Sequence, residues 1–352
     1  MTEVSCEKKS IYGIGMESTF TVLISATKEM SWPDVMWLDA REAGAKIYLD
    51  YCCKMNIRLK QLRKIHFSNL TNRMFWLPMK CLWDWTNIVR PEELDPLKRN
   101  YIIFQTGVKF SAHYIKRLKE QHNACIVLYM PDNIRTMGIA KTKTEFERFC
   151  RHYHIDQVYS FAPNDCRDFG VEFFDYYSKL PVKTISLHRQ DGKLNVLYVG
   201  GCRSRERLNI LHSLYDKLKD IACCTFYLNG VQAADMTREG IYYNQPLTYK
   251  RVVELVQQND VIVEIMNGQQ TGNTLRLKEA VCYNKLLLTN NKTISSSHYY
   301  NSRYMQIFDQ IEDIDLTMFD RDVNYNYQGE FSPKLLMEKI LEKDIIYTKN
   351  NI

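Results

Sequence analysis

Glycines and arginines follow an apolar run in the second half of the chain, at spacings suited to a diphosphate. The run LNVLYVG (194–200) is followed by Gly201, Arg203 and Arg205. Glycine lets the backbone approach a ligand closely, and a guanidinium group matches two phosphate oxygens at once. We therefore predict a phosphate-binding turn that contains Gly200, Gly201, Arg203 and Arg205. The alternative is a turn that leads into a basic, solvated helix face.

A second apolar run, DVIVEIM (260–266), leads through a polar glycine loop into a predicted helix. The start of a helix presents unpaired N–H groups and partial positive charge, which suits a diphosphate. Glu279 lies more than one turn inside this helix, where we expect a partly exposed side chain aimed at ligand hydroxyls. An ordinary capped helix with a solvated glutamate is the alternative. The predicted binding residues here are Glu264, Thr271, Gly272, Asn273, Thr274, Arg276 and Glu279, and Glu279 is also a candidate catalytic residue.

Asp132 follows a third apolar run, CIVLYM (125–130), in the first half of the chain. A carboxylate at the end of a strand can act as a general base on a substrate hydroxyl, so Asp132 is a candidate catalytic residue. Turns also favour aspartate for local hydrogen bonding, which is the structural alternative.

The stretch from Lys54 to Lys80 holds seven basic residues and no acidic one, and all five tryptophans lie within the first 85 residues. Cations attract anionic lipids, and tryptophan rings suit the headgroup layer of a membrane. We predict that this stretch faces an anionic membrane surface. A solvated helix followed by buried tryptophans is the alternative. The residues assigned to this surface are Arg58, Lys60, Arg63, Lys64 and Trp76.

Composition is that of a globular protein: 45% of the 352 residues are apolar and 25% are charged. The length favours two domains. Eleven cysteines without a CxxC pair, and a start of the sequence without an apolar leader, favour reduced thiols and a cytoplasmic location. No apolar run approaches the roughly 18 residues of a spanning helix, so membrane contact is expected to be peripheral.

Short β-branched and aromatic runs alternate with amphipathic segments from about residue 100 onward, which is typical of βα units and a parallel sheet. The series restarts after Pro181. SIYGIG (10–15) and DVMWLDA (34–40) are candidates for earlier strands. The chain is therefore predicted to be an α/β protein with two parallel-sheet domains, 1–185 and 186–330, and a C-terminal helix within 331–352 that crosses back to the first domain.

The segment GNTLRLKEAVCYNKLLLTNN (272–291) resembles the donor-binding segment of bacterial lipopolysaccharide and capsule glycosyltransferases. VLYVGGCRSRERLNIL is similar to the start of the second domain in that family. IVLYMPDNIR and IDQVYSFAPNDCRDFG look like its first-domain strand ends. Together these segments cover roughly residues 100–310.

The resemblance implies a GT-B fold, in which two Rossmann-like domains face each other across a cleft. It implies that the second domain binds a nucleotide-diphosphate sugar and that the first holds a lipid-linked or polysaccharide acceptor. No cofactor or metal is expected. Lys278 stands where the family has proline, and Thr271 stands where the wider retaining group has the first of two glutamates, so only Glu279 carries over.

Two other interpretations follow from the residues. Asp313–Asp315 and Asp320–Asp322 match the DxD pattern that holds manganese in the other large sugar-transferase fold, but carboxylate pairs in loops are usually solvated. The basic, Trp-bearing first half also suits a non-catalytic nucleotide- or nucleic-acid-binding α/β protein. No recognised nucleic-acid motif supports that alternative, and nucleic acid is not expected as a partner.

Overall fold

The computed structural model describes residues 17–24, 32–53, 55–68, 71, 77–105, 107–181, 192–202, 204–266, 274–319 and 322–350, without the side chains of 32 and 348–350. The chain divides into two compact units. The first comprises Met1–Ser25, Gly44–Tyr129 and Gly138–Val158, and the second comprises Ala26–Ala43, Met130–Met137 and Tyr159–Ile352. The linear boundaries at 185/186 and 330/331 stay a prediction.

Strands and helices alternate through the described residues. The strands are β1 (Ser18–Leu23), β2 (Lys46–Tyr48), β3 (Arg99–Gln105), β4 (Ala124–Met130), β5 (Gln157–Ser160), β6 (Glu172–Phe173), β7 (Asn195–Gly201), β8 (Cys223–Asn229), β9 (Ile241–Tyr243), β10 (Val261–Glu264), β11 (Leu286–Thr289) and β12 (Met305–Ile307). The helices are α1 (Trp32–Val35), α2 (Leu38–Glu42), α3 (Ile57–His66), α4 (Ala112–His122), α5 (Lys143–His152), α6 (Pro163–Phe169), α7 (Arg205–Leu218), α8 (Tyr249–Gln258), α9 (Leu275–Cys282) and α10 (Pro333–Asn350).

The first sheet has the strand order β2-β1-β3-β4-β5-β6, with parallel pairing. Its central strands are apolar on both faces, as expected where crossover helices cover a parallel sheet. On one side of the sheet β2 follows β1, and on the other side β4, β5 and β6 follow β3, so the strand order reverses between β1 and β3. The predicted strands at 101–107, 125–130 and 156–161 are confirmed as β3, β4 and β5.

The predicted strand DVMWLDA (34–40) is wrong, because this segment forms the two short helices α1 and α2. Its apolar run buries Trp37 against Tyr176, and Arg41 reaches back to Asp34 at 2.6 Å across the helical turns. Helical turns therefore satisfy both the apolar and the charged positions of this run. The candidate strand SIYGIG (10–15) lies outside the described residues.

The second sheet has the order β12-β11-β10-β7-β8-β9, with all pairs parallel. Read from β9 to β12, this is the Rossmann order 3-2-1-4-5-6, which reverses between β7 and β10. Its core joins buried side chains of α7 to those of β10 and β11, including Leu211, Leu214, Val263 and Leu288. The predicted α/β class with two Rossmann-like parallel sheets is confirmed.

The C-terminal helix α10 packs against α2, both within the second unit. Ser332, just before α10, donates a 2.7 Å hydrogen bond to Oδ2 of Asp39 in α2. No helix in the described part of the chain combines the length and the apolar character that crossing a membrane requires.

Candidate functional site

The reversal of strand order in the second sheet brings two predicted segments to one place. β7 ends at Gly200 and Gly201, its neighbour β10 ends at Glu264, and both strands point to the same edge of the sheet. Loops on the two sides of a reversal leave in opposite directions and open a crevice that parallel α/β proteins use for ligands. Helix α9 begins beside this edge, where Thr274 caps it by accepting from the N–H groups of Arg276 and Leu277.

Glycine is required at position 200 because the side chain of Tyr198, in the same strand, occupies the space that a Cβ atom would need. A Cβ atom at this position would lie 2.6 Å from the hydroxyl oxygen of Tyr198, whereas one at Gly201 would meet nothing within 4 Å. Because Tyr198 is buried, its ring has little room to move aside. The first glycine is thus needed for packing, and the second leaves open space beside the end of β7.

Glu264 ties the end of β10 to the start of α9. Its buried carboxylate accepts a hydrogen bond from the hydroxyl of Thr274 and another, at 2.5 Å, from Thr289 in β11. Burial raises the pKa of Glu264, and these hydroxyls act in the opposite direction. Since its oxygens are engaged within the protein, Glu264 positions the helix start; its predicted contact with a donor stays a prediction.

Glu279 is completely buried, with 0% of its side chain exposed, so the expectation of a partly exposed residue is wrong. Its carboxylate forms an ion pair with Arg276, three residues earlier, and accepts a 2.8 Å hydrogen bond from the hydroxyl of Tyr249. Burial raises the pKa of Glu279, and Arg276 opposes that rise. Residues 277–282 of α9 are all buried, which explains why no solvated face exists for Glu279. Its predicted contact with donor hydroxyls stays a prediction.

A chain of tyrosines extends this buried network. Tyr249 also lies 3.1 Å, hydroxyl to hydroxyl, from Tyr177, and Tyr283 accepts a 2.9 Å hydrogen bond from the N–H of Leu180. Burial raises the pKa of Tyr177 and of Tyr249 well above the ordinary value, so both hydroxyls stay protonated and can donate. Lys278, which stands in the proline position, forms a buried 2.5 Å ion pair with Asp175. These bonds hold α9 in one orientation.

Arg207 lies beside the end of β10 and was not among the residues predicted from the sequence. Its Nη2 donates to the carbonyl oxygen of Ile265, just after β10, at 2.6 Å. Arg207 and Arg276 both lower the pKa of the Tyr198 hydroxyl, against the effect of burial, so two guanidinium groups lie near that hydroxyl. The signal in the sequence was helical spacing, because Arg207 stands three positions after the cap residue Ser204. In the structure Arg207 turns towards the protein, whereas Arg205 does not.

Arg205 is exposed and forms an ion pair with Asp235. Its predicted role at the diphosphate stays a prediction. Several other predicted donor residues and one tryptophan lie outside the described residues: Arg203, Thr271, Gly272, Asn273 and Trp76.

Asp132 lies exposed in a turn, where its Oδ1 accepts a 2.8 Å hydrogen bond from the N–H of Asn133. This is the local bonding that turns favour, and it leaves the second carboxylate oxygen at the surface. Asp313 and Asp315 of the DxD motif accept from nearby backbone N–H groups. Within the described ranges, no three His, Cys, Asp or Glu side chains come together as a metal site.

Helix α3 presents most of the predicted basic surface. Arg58, Lys60 and Lys64 are exposed, and so are the apolar side chains Ile57, at 72%, Leu62 and Ile65. Arg63 is the exception, with only 5% exposed, so its assignment to the surface is wrong. It points into the protein because its Nη2 donates to Oδ1 of Asn87 at 2.9 Å and to the carbonyl of Lys109 at 2.8 Å.

No protein-family model matches the sequence, and no curated protein matches it. Similar solved structures include an alpha-glucosyltransferase in complex with UDP and a 13-mer DNA containing an HMU base, with 10% identity, a TM-score of 0.48, and coverage of 93% of this chain and 99% of that one.

Two further structures are similar over most of their length. The DNA-modifying enzyme beta-glucosyltransferase has 11% identity and a TM-score of 0.45, covering 96% of this chain and 100% of that one. The glycosyltransferase SnogD from Streptomyces nogalater has 9% identity and a TM-score of 0.40, covering 80% and 85%. At these identities and TM-scores, the likeness carries no conclusion about activity.

Proposed function

We propose that the protein is a metal-independent glycosyltransferase of the GT-B kind, which binds a nucleotide-diphosphate sugar at the strand-order reversal of its second sheet. The observation that carries the proposal is the pair of guanidinium groups, Arg207 and Arg276, beside Tyr198 and the glycine turn at the end of β7. Positive charge next to open backbone suits a diphosphate.

The arrangement suits transfer because negative charge develops on the diphosphate as it leaves the sugar. Groups that stabilise this charge more strongly in the transition state than in the substrate lower the barrier. Arg276 is held by Glu279, and Arg207 is held by the carbonyl of Ile265, so both are oriented before the donor arrives. Arg203, Arg205 and residues 271–273 would complete the donor site.

On the acceptor side, Asp132 would remove a proton from the acceptor hydroxyl. The acceptor would be a lipid-linked or polysaccharide glycan of the bacterial surface, in lipopolysaccharide or capsule assembly. Support comes from the sequence resemblance of residues 100–310 to that family, and from the exposed Asp132 carboxylate. No cofactor enters this reaction.

The protein would work in the cytoplasm, peripherally bound to the inner face of the cell membrane through α3. Ile57, Leu62 and Ile65 point outward, flanked by Lys60 and Lys64, which is the pattern of a helix that lies in a membrane interface. Apolar residues that point into water along a helix are unusual unless another surface covers them. An anionic bilayer complements both the apolar and the cationic side chains.

The function is tested by incubating the protein with a panel of radiolabelled nucleotide-diphosphate sugars and measuring slow donor hydrolysis in the absence of acceptor. We expect breakdown of one donor and its loss in Arg207→Ala, in a variant that circular dichroism shows to be folded. The rival function, nucleic-acid binding without catalysis, would give tight oligonucleotide binding and no breakdown of any donor. That result would overturn the proposal.

A further inference from the structure

Three cations of the first unit lie close to Phe67, two over its ring and one at its backbone carbonyl oxygen. The guanidinium carbon of Arg63 lies 4.9 Å from the ring centroid of Phe67, and Nζ of Lys80 lies 5.7 Å from the same centroid. Nζ of Lys109 lies 3.5 Å from the carbonyl oxygen of Phe67. We call Arg63, Lys80 and Lys109 the Phe67 cluster. The charges of Arg63 and Lys80 both act on Lys109, so the three cations repel one another and a nearby anion would relieve that repulsion.

The Phe67 cluster has more donors than acceptors. Among the described residues, no carboxylate lies within ion-pair distance of its three cations, and the buried atoms Nε of Arg63 and Nδ2 of Asn87 have no hydrogen-bond acceptor. The two acids whose charges reach Arg63 are engaged elsewhere: Asp50 pairs with Lys60, and Asp84 accepts a 2.7 Å hydrogen bond from Ser111. Buried donors without acceptors are rare in native proteins, so these two donors suit an anion as their partner.

The electrostatics agree with this geometry. Burial lowers the pKa of Lys109, and the charges of Arg63, Lys80 and Lys64 lower it further. Burial also lowers the pKa of Lys80. A bound anion would offset both effects, because an opposite charge nearby favours the protonated lysine.

The position of the cluster is where a parallel sheet binds ligands. Lys109 follows the end of β3, and the first sheet reverses its strand order between β1 and β3. Arg63 belongs to α3, the same helix whose outward side chains are apolar. One helix thus has a cation on its inner side and apolar residues on its outer side.

We propose that the Phe67 cluster binds a phosphate or diphosphate group. Resting on the proposed function, this gives the acceptor a chemical class: a glycan carrier whose phosphate lies against Arg63, Lys80 and Lys109. A lipid-linked carrier brings such a group to the surface of a membrane, which is where α3 would lie.

The probes are inorganic pyrophosphate and the water-soluble geranyl diphosphate, titrated calorimetrically into the full chain. We expect Lys80→Gln/Lys109→Gln to weaken pyrophosphate binding by about tenfold or more, since charge-assisted contacts are lost. Lys116→Gln/Lys143→Gln removes two exposed cations of the same unit and should leave affinity unchanged. Lys109→Arg keeps the charge and should keep most of the binding.

Geranyl diphosphate binding more tightly than pyrophosphate would support a lipid-linked source, and equal affinity would support a phosphate-bearing carrier without a lipid. Unchanged pyrophosphate affinity in Lys80→Gln/Lys109→Gln would overturn the inference. Binding of a single-stranded oligonucleotide, but of no diphosphate, at the cluster of the wild-type protein would also overturn the inference.

Failure here is distinguishable from failure of the proposed function. If the protein hydrolyses a donor and the lysine variant binds pyrophosphate as the wild type does, the phosphate site is contradicted and the transferase proposal is supported. Pyrophosphate binding that depends on the cluster, without breakdown of any donor, would retain the site and remove the transferase. Arg207→Ala, in the other unit, separates pyrophosphate bound at the donor site from pyrophosphate bound at the cluster.

Discussion

The hydroxyl of Tyr249 lies 2.8 Å from Oε1 of Glu279, and both groups are buried. This bond fixes one oxygen of the carboxylate, while Arg276 is paired with the other. Glu279 therefore orients Arg276, and at the proposed donor site it would act through that arginine. If Arg276 binds the donor as proposed, stability and donor binding both depend on Glu279.

Glu279→Ala should lower the free energy of unfolding by about 3–5 kcal/mol, because it leaves Arg276 without its partner in a buried environment. Urea denaturation measures this change. Glu254→Ala is the matched control, since Glu254 forms an exposed ion pair with Arg251 at the same i,i+3 spacing and should cost less than about 1 kcal/mol. Equal losses of unfolding free energy in the two variants would show that the buried ion pair stabilises the protein no more than the exposed one.

Arg207→Ala should weaken binding of the preferred nucleoside diphosphate by roughly 1.5–3 kcal/mol, since a charge-assisted contact to phosphate is lost. Calorimetry with UDP, GDP, CDP and TDP gives the affinity. Arg205→Ala tests whether Arg205, which also belongs to α7, binds the diphosphate as the sequence predicts. Arg251→Ala, which removes an exposed cation paired with Glu254, supplies the control. Wild-type affinity in Arg207→Ala would remove this residue from the donor site.

Gly200→Ala should destabilise the protein by about 1–3 kcal/mol, because the added Cβ meets the buried Tyr198 hydroxyl at 2.6 Å. Thermal unfolding followed by circular dichroism checks the effect. Gly201→Ala introduces the same atom into open space and should leave the melting temperature nearly unchanged. If both variants melt together with the wild type, the packing account of this turn is incorrect.

Asp132→Asn should suppress sugar transfer while sparing both the fold and the affinity for nucleotide. The residue is exposed and accepts a hydrogen bond within its own turn, which an amide oxygen can also accept, so asparagine can replace the aspartate without structural cost. Transfer rates across a pH series provide the measurement, with donor hydrolysis as the internal control. A wild-type rate of transfer at every pH would reduce Asp132 to a turn residue.

Binding to vesicles that contain anionic lipid should fall when Arg58, Lys60 and Lys64 are changed to Gln, by about 1 kcal/mol for each cation engaged. It should fall as well when Ile57, Leu62 and Ile65 are changed to Ser, and it should weaken with rising salt. Co-sedimentation measures the bound fraction. Arg63 is left intact because it is buried.

Vesicles of neutral lipid are the control for the charge effect. Equal binding to neutral and anionic vesicles would contradict an electrostatic contribution. Absence of binding to both would leave α3 as an exposed helix without a membrane partner.

Much of the α/β architecture was predictable from the sequence because buried parallel strands are short, continuous apolar runs. LNVLYVG and KLLLTN have that character, and they form β7 and β11. The glycine turn and the cap residue Thr274 are equally local signals. DVMWLDA shows where this rule fails, because an apolar run of that length also suits two short buried helices.

The directions of individual polar side chains were decided only by the tertiary structure. Glu279 is buried because Tyr249, 30 residues away, donates to it, and Arg63 turns inward because Asn87, 24 residues away, accepts from it. Local sequence shows that a residue is charged and helical, whereas the partner that makes its burial favourable comes from a distant part of the chain. The sequence by itself therefore determined the strands and their glycine turns, and the tertiary structure determined which charges face inward.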